Sequence, residues 1–492
     1  MIDGATTLLP IVTFDTTDAW DTLLRVAAPE LDSDGLRRLL VALGPSAKCV
    51  VIERQYIDKD YRDTFYNFHS KRFSTPSSRC LRLHFFAEPV TRQTLRSAAE
   101  IQAHYLGYSV VRPTKPNCIG RTLVSHRCCH TRGVVACLCR ESLTLQSTPL
   151  SICGFPFISQ DADVTVCAQS ALWMVARYYS NRYPAYPETF PFQLARLTED
   201  YSLGRFYPSS GLYLWQMAEA LRRLGFAPVT YSRDKYPDDF EHYMYTYIES
   251  GIPVLAATDR HVIVAFGHVS DYSRMPPCVG TFKFSSSFNQ AFVVNDDNNV
   301  PYQILGRASP IPRNHSRFLV KDIQSFIAPL AEKIFLPAES FQLVATKILN
   351  RGDVGYKALS PTLAPETLLL RLFLTTARSF KRALPQRGMG NPVVEDLYRN
   401  LPLPHFIWVC EISHAQLYIP NHQILGEIIW DATRNAHEPD GWVAVHYPEV
   451  LVVDEGSCLN RAQHLVKYPL PQSSHYPVYK HNLYELDLPA DT

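Results

Sequence analysis

The apolar positions of this chain change their period repeatedly, and each change marks an element. Residues 17–43 carry two short runs at helical spacing, broken near Pro29 and restarted at Ser33-Asp34, a pair suited to capping a helix start. "AKCVVIERQYI" and "CLRLHFFAE" are rich in β-branched and aromatic residues and predict strands. Between them, "DYRDTFYNFHSKRFSTPSSR" mixes aromatics with charges and reads as a long excursion. "TRQTLRSAAEIQAHYLG" has helical spacing with Gly107 as its stop, and "YSVVRP" follows as a strand. A helix is expected from Cys167 and another over 211–226, capped by Ser209 or Ser210. The strands "GIPVLAAT", "HVIVAFG" and "QAFVVND" come next. Farther on, the leucine spacing of "ETLLLRLFLTTARSFKRAL" predicts an amphipathic helix, and "HFIWVCEI", "GEIIWDAT" and "GWVAVHY" predict strands.

Helices first and strands after give the middle of the chain an α+β pattern. With 492 residues, two or three domains are expected. The division read here is a mixed α/β module over 1–150, an α+β unit over 151–330 and a second mixed α/β module over 331–492.

Composition then narrows the function classes. Lys+Arg number 48 against 47 Asp+Glu, for a net charge of +1, without the basic excess that a nucleic-acid partner demands. The first twenty residues lack a cationic start and a clean apolar run, and no stretch reaches about 18 uncharged apolar residues. The expectation is a cytoplasmic chain with no leader and no membrane span, whose 12 cysteines are free thiols. The sequence lacks HExxH, GxxxxGK[ST] and GxSxG, and the glycines at Gly388 and Gly390 lack the third member of a dinucleotide fingerprint. Arg378, Lys381, Arg382 and Arg387 read as a solvated helix face. His126, Cys128, Cys129, His130, Cys137 and Cys139 crowd one segment, but not as repeated zinc-ligand pairs. They read as a hairpin with small apolar cysteines.

One cysteine stands apart. In "FISQDADVTVCAQSALWMVARYY", residues 157–179, Cys167 divides a polar, irregular stretch from an apolar helix. Unpaired N–H groups and the helix dipole favour a thiolate there, and the stripe Ala171, Leu172, Val175 and Tyr178 would hold the helix in a core. A nucleophile needs a base, and His261 opens the short apolar strand of "GIPVLAATDRHVIVAFGH". The base needs an orienter, and "AFVVNDDNN" ends a strand in Asp296 and Asp297, either of which could accept the second imidazole N–H. Gln160 and the Cys167 backbone N–H could donate to an oxyanion. Asp259 reads as a turn residue and His268 as structural.

These residues carry a resemblance. The blocks "QDADVTVCAQSALWMVARYYS", "GLYLWQMAEALRRLGF", "GIPVLAATDRHVIVAFGH" and "FVVNDDNN", in that order, resemble the papain-like cysteine peptidases. Within that fold they are most similar to the double-glycine leader peptidases and their stand-alone relatives. The resemblance covers about residues 151–310. It implies Cys167 as nucleophile, His261 as general base and acid, Asp296 as orienter and Gln160 as an oxyanion donor, with no cofactor. Three departures stand out. Ala168 replaces the glycine usual after the nucleophile, the gap from Gln160 to Cys167 is a residue or two longer, and Asp297 replaces a proline. The expected activity is cleavage of a protein or peptide substrate through a thioester. The alternative is an inactive papain-like scaffold that binds a partner.

Overall fold

A computed structural model describes residues 10–13, 34–44, 46–114, 118–129, 131–161, 166–201, 211–273, 282–307, 316–360, 363, 368–387, 392–435, 441–458, 464–470 and 475–485. Pro29, Ser33, His130, Ser209, Ser210, Gly388 and Gly390 lie outside them. Helices and strands mix throughout, as an α+β chain requires.

The N-terminal module is an antiparallel sheet in chain order: β1 (Ile11–Thr13), β2 (Cys49–Tyr56), β3 (Cys80–Phe86), β4 (Tyr105–Val111) and β5 (Ile119–Val124). The excursion between β2 and β3 contains a helix, Lys59–Asn67, whose start is capped by Asp58 accepting the Tyr61 N–H at 2.9 Å. The helical spacing before β4 yields only Ala98–Gln102, and Gly107 is not its stop. Gly107 lies inside β4 at φ +116°, where a Cβ would stand 2.2 Å from the Leu123 carbonyl oxygen. The close approach of β5, rather than a helix end, requires glycine there.

Next come β6 (Val134–Ala136) and the hairpin of β7 (Cys139–Leu145) and β8 (Thr148–Gly154). The middle unit then builds its sheet from β9 (Phe226–Ser232), β10 (Val254–Ala257), β11 (Val262–Ser270), β13 (Asn289–Asn295), β14 (Gln303–Gly306) and β15 (Ser325–Ala331), while the short β12 (Lys283–Phe284) leaves for another sheet. The order is β14-β13-β11-β10-β15-β9, all antiparallel, with β6 added on β11. The expected helices are Cys167–Arg182 and Leu214–Arg223. At the start of the second, the Gln216 side chain accepts the Tyr213 N–H at 2.8 Å. A further helix, Phe240–Glu249, packs on the sheet.

The C-terminal sheet runs β12-β16-β17-β19-β20-β21-β22, with β16 (Leu368–Thr376), β17 (Phe406–His414), β19 (Gly426–Asp431), β20 (Trp442–Tyr447), β21 (Val450–Asp454) and β22 (Leu465–Pro469). The paired short strands β18 (Gln423–Ile424) and β23 (Tyr476–Pro477) lie beside it. The amphipathic helix expected over 366–384 is half wrong: Leu368–Thr376 is a strand, and only Ala377–Arg387 is helical. β16 lies between β12 and β17 and is buried along nearly its whole length. A run apolar on both faces suits such a strand as well as a helix.

The three units interlock. β6 from the first joins the middle sheet, β12 from the second pairs with β16, and β24 (Tyr484–Glu485) returns to pair with β6. Arg387, expected on a solvated face, is 2% exposed and donates to Glu411 and Glu427. The two carboxylates offset the cost of burying the guanidinium, and removing either side would leave an uncompensated buried charge.

Candidate active site

Cys167 is the first residue of the helix Cys167–Arg182, in which twelve of sixteen residues are buried. The helix is held from the N-terminal module: Asp60 Oδ1 accepts Trp173 Nε1–H at 2.9 Å and an Arg177 N–H at 2.8 Å, with all three side chains buried. The position of Cys167 is therefore fixed by a polar anchor as well as by apolar packing. Among the cysteines whose side chains are described, only Cys153 and Cys167 are not buried.

His261 immediately precedes β11. The Thr258 hydroxyl accepts the His261 N–H at 3.1 Å, and the Thr258 N–H donates to the His261 carbonyl at 2.8 Å, which pins the turn. Asp296 immediately follows β13. Because β11 and β13 are antiparallel neighbours with Val264 opposite Asn295, the start of one strand meets the end of the other. His261 Nε2 donates to Asp296 Oδ1 at 2.7 Å, leaving Nδ1 for a second partner. The Cys167 thiol and the imidazole are within hydrogen-bonding reach of each other. The ring also stacks on Phe318 at 5.6 Å, and Arg317 lies over Phe318.

Charge follows from this geometry. Burial opposes protonation of His261, but the hydrogen bonds to Asp296 and Cys167 and the two nearby carboxylates outweigh it and raise its pKa to about 10. Burial likewise opposes ionisation of Asp296, yet the His261 bond and charge, with the Asn298 N–H at 3.1 Å, hold its pKa below the ordinary range. Asp297 goes the other way: burial and the neighbouring Asp296 push it up to about 7 against the pull of His261. Asp297 stands 3.4 Å from Nε2, and Ser170, one helical turn beyond Cys167, faces it. The two carboxylates thus divide roles, with Asp296 holding the imidazole in the closer, charge-assisted bond.

Gln160 reaches the margin of this cluster, but its amide N–H₂ donates to the Asn298 side chain. One of its two amide N–H groups is thereby engaged within the protein. Sequence reasoning missed Asn298, Phe318 and Arg317. It also passed over Ser170, which stands one turn after Cys167, whereas Phe318 and Arg317 carry no local signal.

His261, Asp296 and Asp297 also place one possible ligand atom each within 4.8 Å of one another, the one such grouping among the described residues. A cation there would compete with the proton that His261 shares with Asp296. In the cysteine-rich segment, Cys137 and Cys139 face separate carbonyls, those of Ile248 at 3.7 Å and Gly154 at 3.5 Å. Burial pushes the thiols of Cys128 and Cys137 up to about 12 and that of Cys129 up to about 11, disfavouring the thiolate. Asp259 is in the turn before His261, and His268 is buried against Glu249. Among the described residues, no helix is long and apolar enough to cross a membrane. No family model, curated protein or solved structure matches this chain.

Proposed function

We propose that the chain is a cysteine-type hydrolase that cleaves an amide bond of a protein or peptide, using Cys167, His261 and Asp296. The observation that carries this reading is their convergence. A partly exposed thiol opens a buried helix, and its imidazole partner is fixed by a carboxylate at 2.7 Å. The arrangement of a helix-start cysteine against an antiparallel sheet, with histidine and aspartate on adjacent strand ends, also supports the papain-like resemblance.

The Cys167 thiolate adds to the amide carbonyl carbon, and His261 gives its Nδ1 proton to the leaving nitrogen as the C–N bond breaks. Water then adds to the thioester, giving a proton to His261, and the acid departs as the Cys167–carbonyl bond breaks. The Cys167 backbone N–H supplies one oxyanion donor. Gln160 keeps one amide N–H on Asn298 and would offer the other as a second donor. That engagement favours a second reading, an inactive scaffold whose cleft binds a peptide.

The test is the pH dependence of Cys167 alkylation by iodoacetamide in wild type and His261→Ala, read by mass spectrometry of the 157–179 peptide. The hydrolase reading expects reaction well below the ordinary thiol pKa of about 8.5 and loss of that advantage in the variant. An inert Cys167, or identical profiles in the two proteins, sinks it. Reactivity at acid pH without turnover of any peptide in a diverse library selects the scaffold.

A further inference from the structure

His268 lies near the end of β11, roughly 23 Å from His261 at the rise of a strand. Beside it a cavity of about 570 Å³ opens between the middle unit and the C-terminal sheet. Its floor is charged and buried: Glu249 accepts from His268 Nε2 and from Arg371 Nε, both at 2.6 Å, and Arg371 continues to Glu411 at 2.6 Å. One wall is aromatic. Tyr272, Tyr418 and His422 stand edge-on to one another, with ring centres 5.1 to 6.1 Å apart. Valines of β6 and the segment 475–485 supply apolar surface opposite. Because β6 pairs with β11 on one side and with β24 on the other, these walls are held in place by strand pairing.

Among the described residues, every charged side chain of the lining is already engaged. Glu249 and Arg371 hold each other, Lys480 pairs with Glu485 at 2.9 Å, and Arg132 has a partner as well. An ion of either sign could only displace an existing partner, so it would give up its hydration for no new pairing. A neutral ligand avoids that cost. The phenol of Tyr272 is likewise occupied, hydrogen-bonded to Ser270 and Tyr418. His422 differs: among the described residues, neither of its ring nitrogens has a hydrogen-bond partner. Burial and the charge of Lys480 hold its pKa below the ordinary imidazole value, so near pH 7 the ring is neutral, one nitrogen donating and the other accepting. His422 ends the helix Ala415–Asn421 at φ +47°, a left-handed backbone that suits glycine.

We propose that this cavity binds a neutral planar aromatic molecule with a hydrogen-bonding edge, its ring against Tyr272 and Tyr418 and its polar edge on the His422 imidazole. A flat ring extends the edge-on cluster already present, which a saturated ring cannot do. The site is separate from the Cys167 cluster and stands whether or not that cluster hydrolyses anything.

The experiment is calorimetric titration of the full chain at pH 7 with 4-hydroxybenzamide, against 4-hydroxybenzoate and 4-hydroxybenzamidine as its anionic and cationic counterparts and cyclohexanecarboxamide as a saturated ring. The neutral aromatic amide is expected to bind about tenfold tighter than each of the other three. His422→Gly removes the imidazole at a backbone position that glycine favours, and is expected to weaken the amide about tenfold. Tyr272→Ala should weaken it by a similar factor. Lys480→Gln and Cys167→Ala should each leave its affinity within about twofold. Either charged ring or the saturated amide binding as tightly as 4-hydroxybenzamide, full affinity in His422→Gly, loss of binding in Cys167→Ala, or no heat from the amide at about 10 mM would each overturn the proposal. The comparison of the four probes uses the unaltered protein, so it decides the matter even where a variant fails to fold.

Discussion

One histidine stands just before strand β11 and another lies near its end, and the two look alike in isolation. His261 gives Nε2 to Asp296 at 2.7 Å, and His268 gives Nε2 to Glu249 at 2.6 Å. They differ in what else each carboxylate holds and in what meets the other ring nitrogen. Glu249 is shared with the buried Arg371, so a fixed cation neutralises it before the imidazole does. Apart from the Asn298 N–H, Asp296 has among the described residues only the half-exposed Arg317, at 3.6 Å, as a competing cation, so its charge acts chiefly on His261. Nδ1 of His268 faces the Ser270 hydroxyl at 3.3 Å, whereas the second partner of His261 is a thiol at a helix start. A histidine–carboxylate pair is a common structural device. The third group and the competing cation decide whether it can do acid–base chemistry.

The comparison can be broken in several ways. The largest effect belongs to the structural end. Arg371→Met leaves Glu249 and Glu411 buried without their shared cation and is expected to destabilise the protein by about 3 kcal/mol. Arg317→Ala, at the His261 end, should change stability by less than about 0.5 kcal/mol. Urea denaturation of both variants measures the difference, and equal losses would mean the two ends are built alike.

The reactive end gives the next contrast. At pH 6, His261→Ala is expected to slow Cys167 alkylation about a hundredfold, the scale of effect of removing a proton-accepting group beside the thiol. His268→Ala should leave that rate within about twofold. A comparable loss in both would make the slowing a general effect of disturbing β11. Asp296→Asn should remove about tenfold of the same advantage by weakening the hold on the imidazole, with a smaller loss in Asp297→Asn. The reverse order would hand the orienting role to Asp297.

The smallest effects lie in pH dependence. The His261 pKa is raised to about 10, so its pair stabilises the fold fully below the ordinary imidazole range and loses that contribution as pH rises through about 10. Burial opposes the charge of Glu249, but Arg371 and His268 lower its pKa to about 2, so its contribution is present above the ordinary carboxylate range and lost as pH falls through about 2. Thermal melts across pH should therefore show His261→Ala converging on wild type at alkaline pH and Glu249→Gln converging at acid pH. Asp297, pushed up to about 7, makes stability decline as pH climbs from the ordinary carboxylate range to about 7, and Asp297→Asn should flatten that slope.

Local pattern was enough for much of the candidate site. The seam at Cys167 is visible because a polar stretch gives way to helical spacing, and the helix begins at that residue. His261 and Asp296 were legible as strand boundaries because "HVIVAFG" and "QAFVVND" are short apolar runs bounded by polar residues, and β11 begins at Val262 and β13 ends at Asn295, although β11 runs on past its apolar stretch to Ser270. These are one-dimensional signals, and helix starts and strand ends respond to them directly.

The remainder depended on partners distant in sequence. "LLLRLFLTT" became a strand because β17 lies beside it, which its leucine spacing does not encode. Gly107 is required by β5 pressing on β4, and Arg387 is buried because Glu411 and Glu427 come from two neighbouring strands. That His261 lies closer to Asp296 than to Asp297, and that Gln160 meets Asn298, likewise follows from side-chain approach in three dimensions. The sequence by itself determined where the elements carrying the thiol, the imidazole and the carboxylate begin and end, since those boundaries are set by near neighbours. Only the tertiary structure decided which buried charges face one another, because electrostatic pairing acts through space and does not follow the chain.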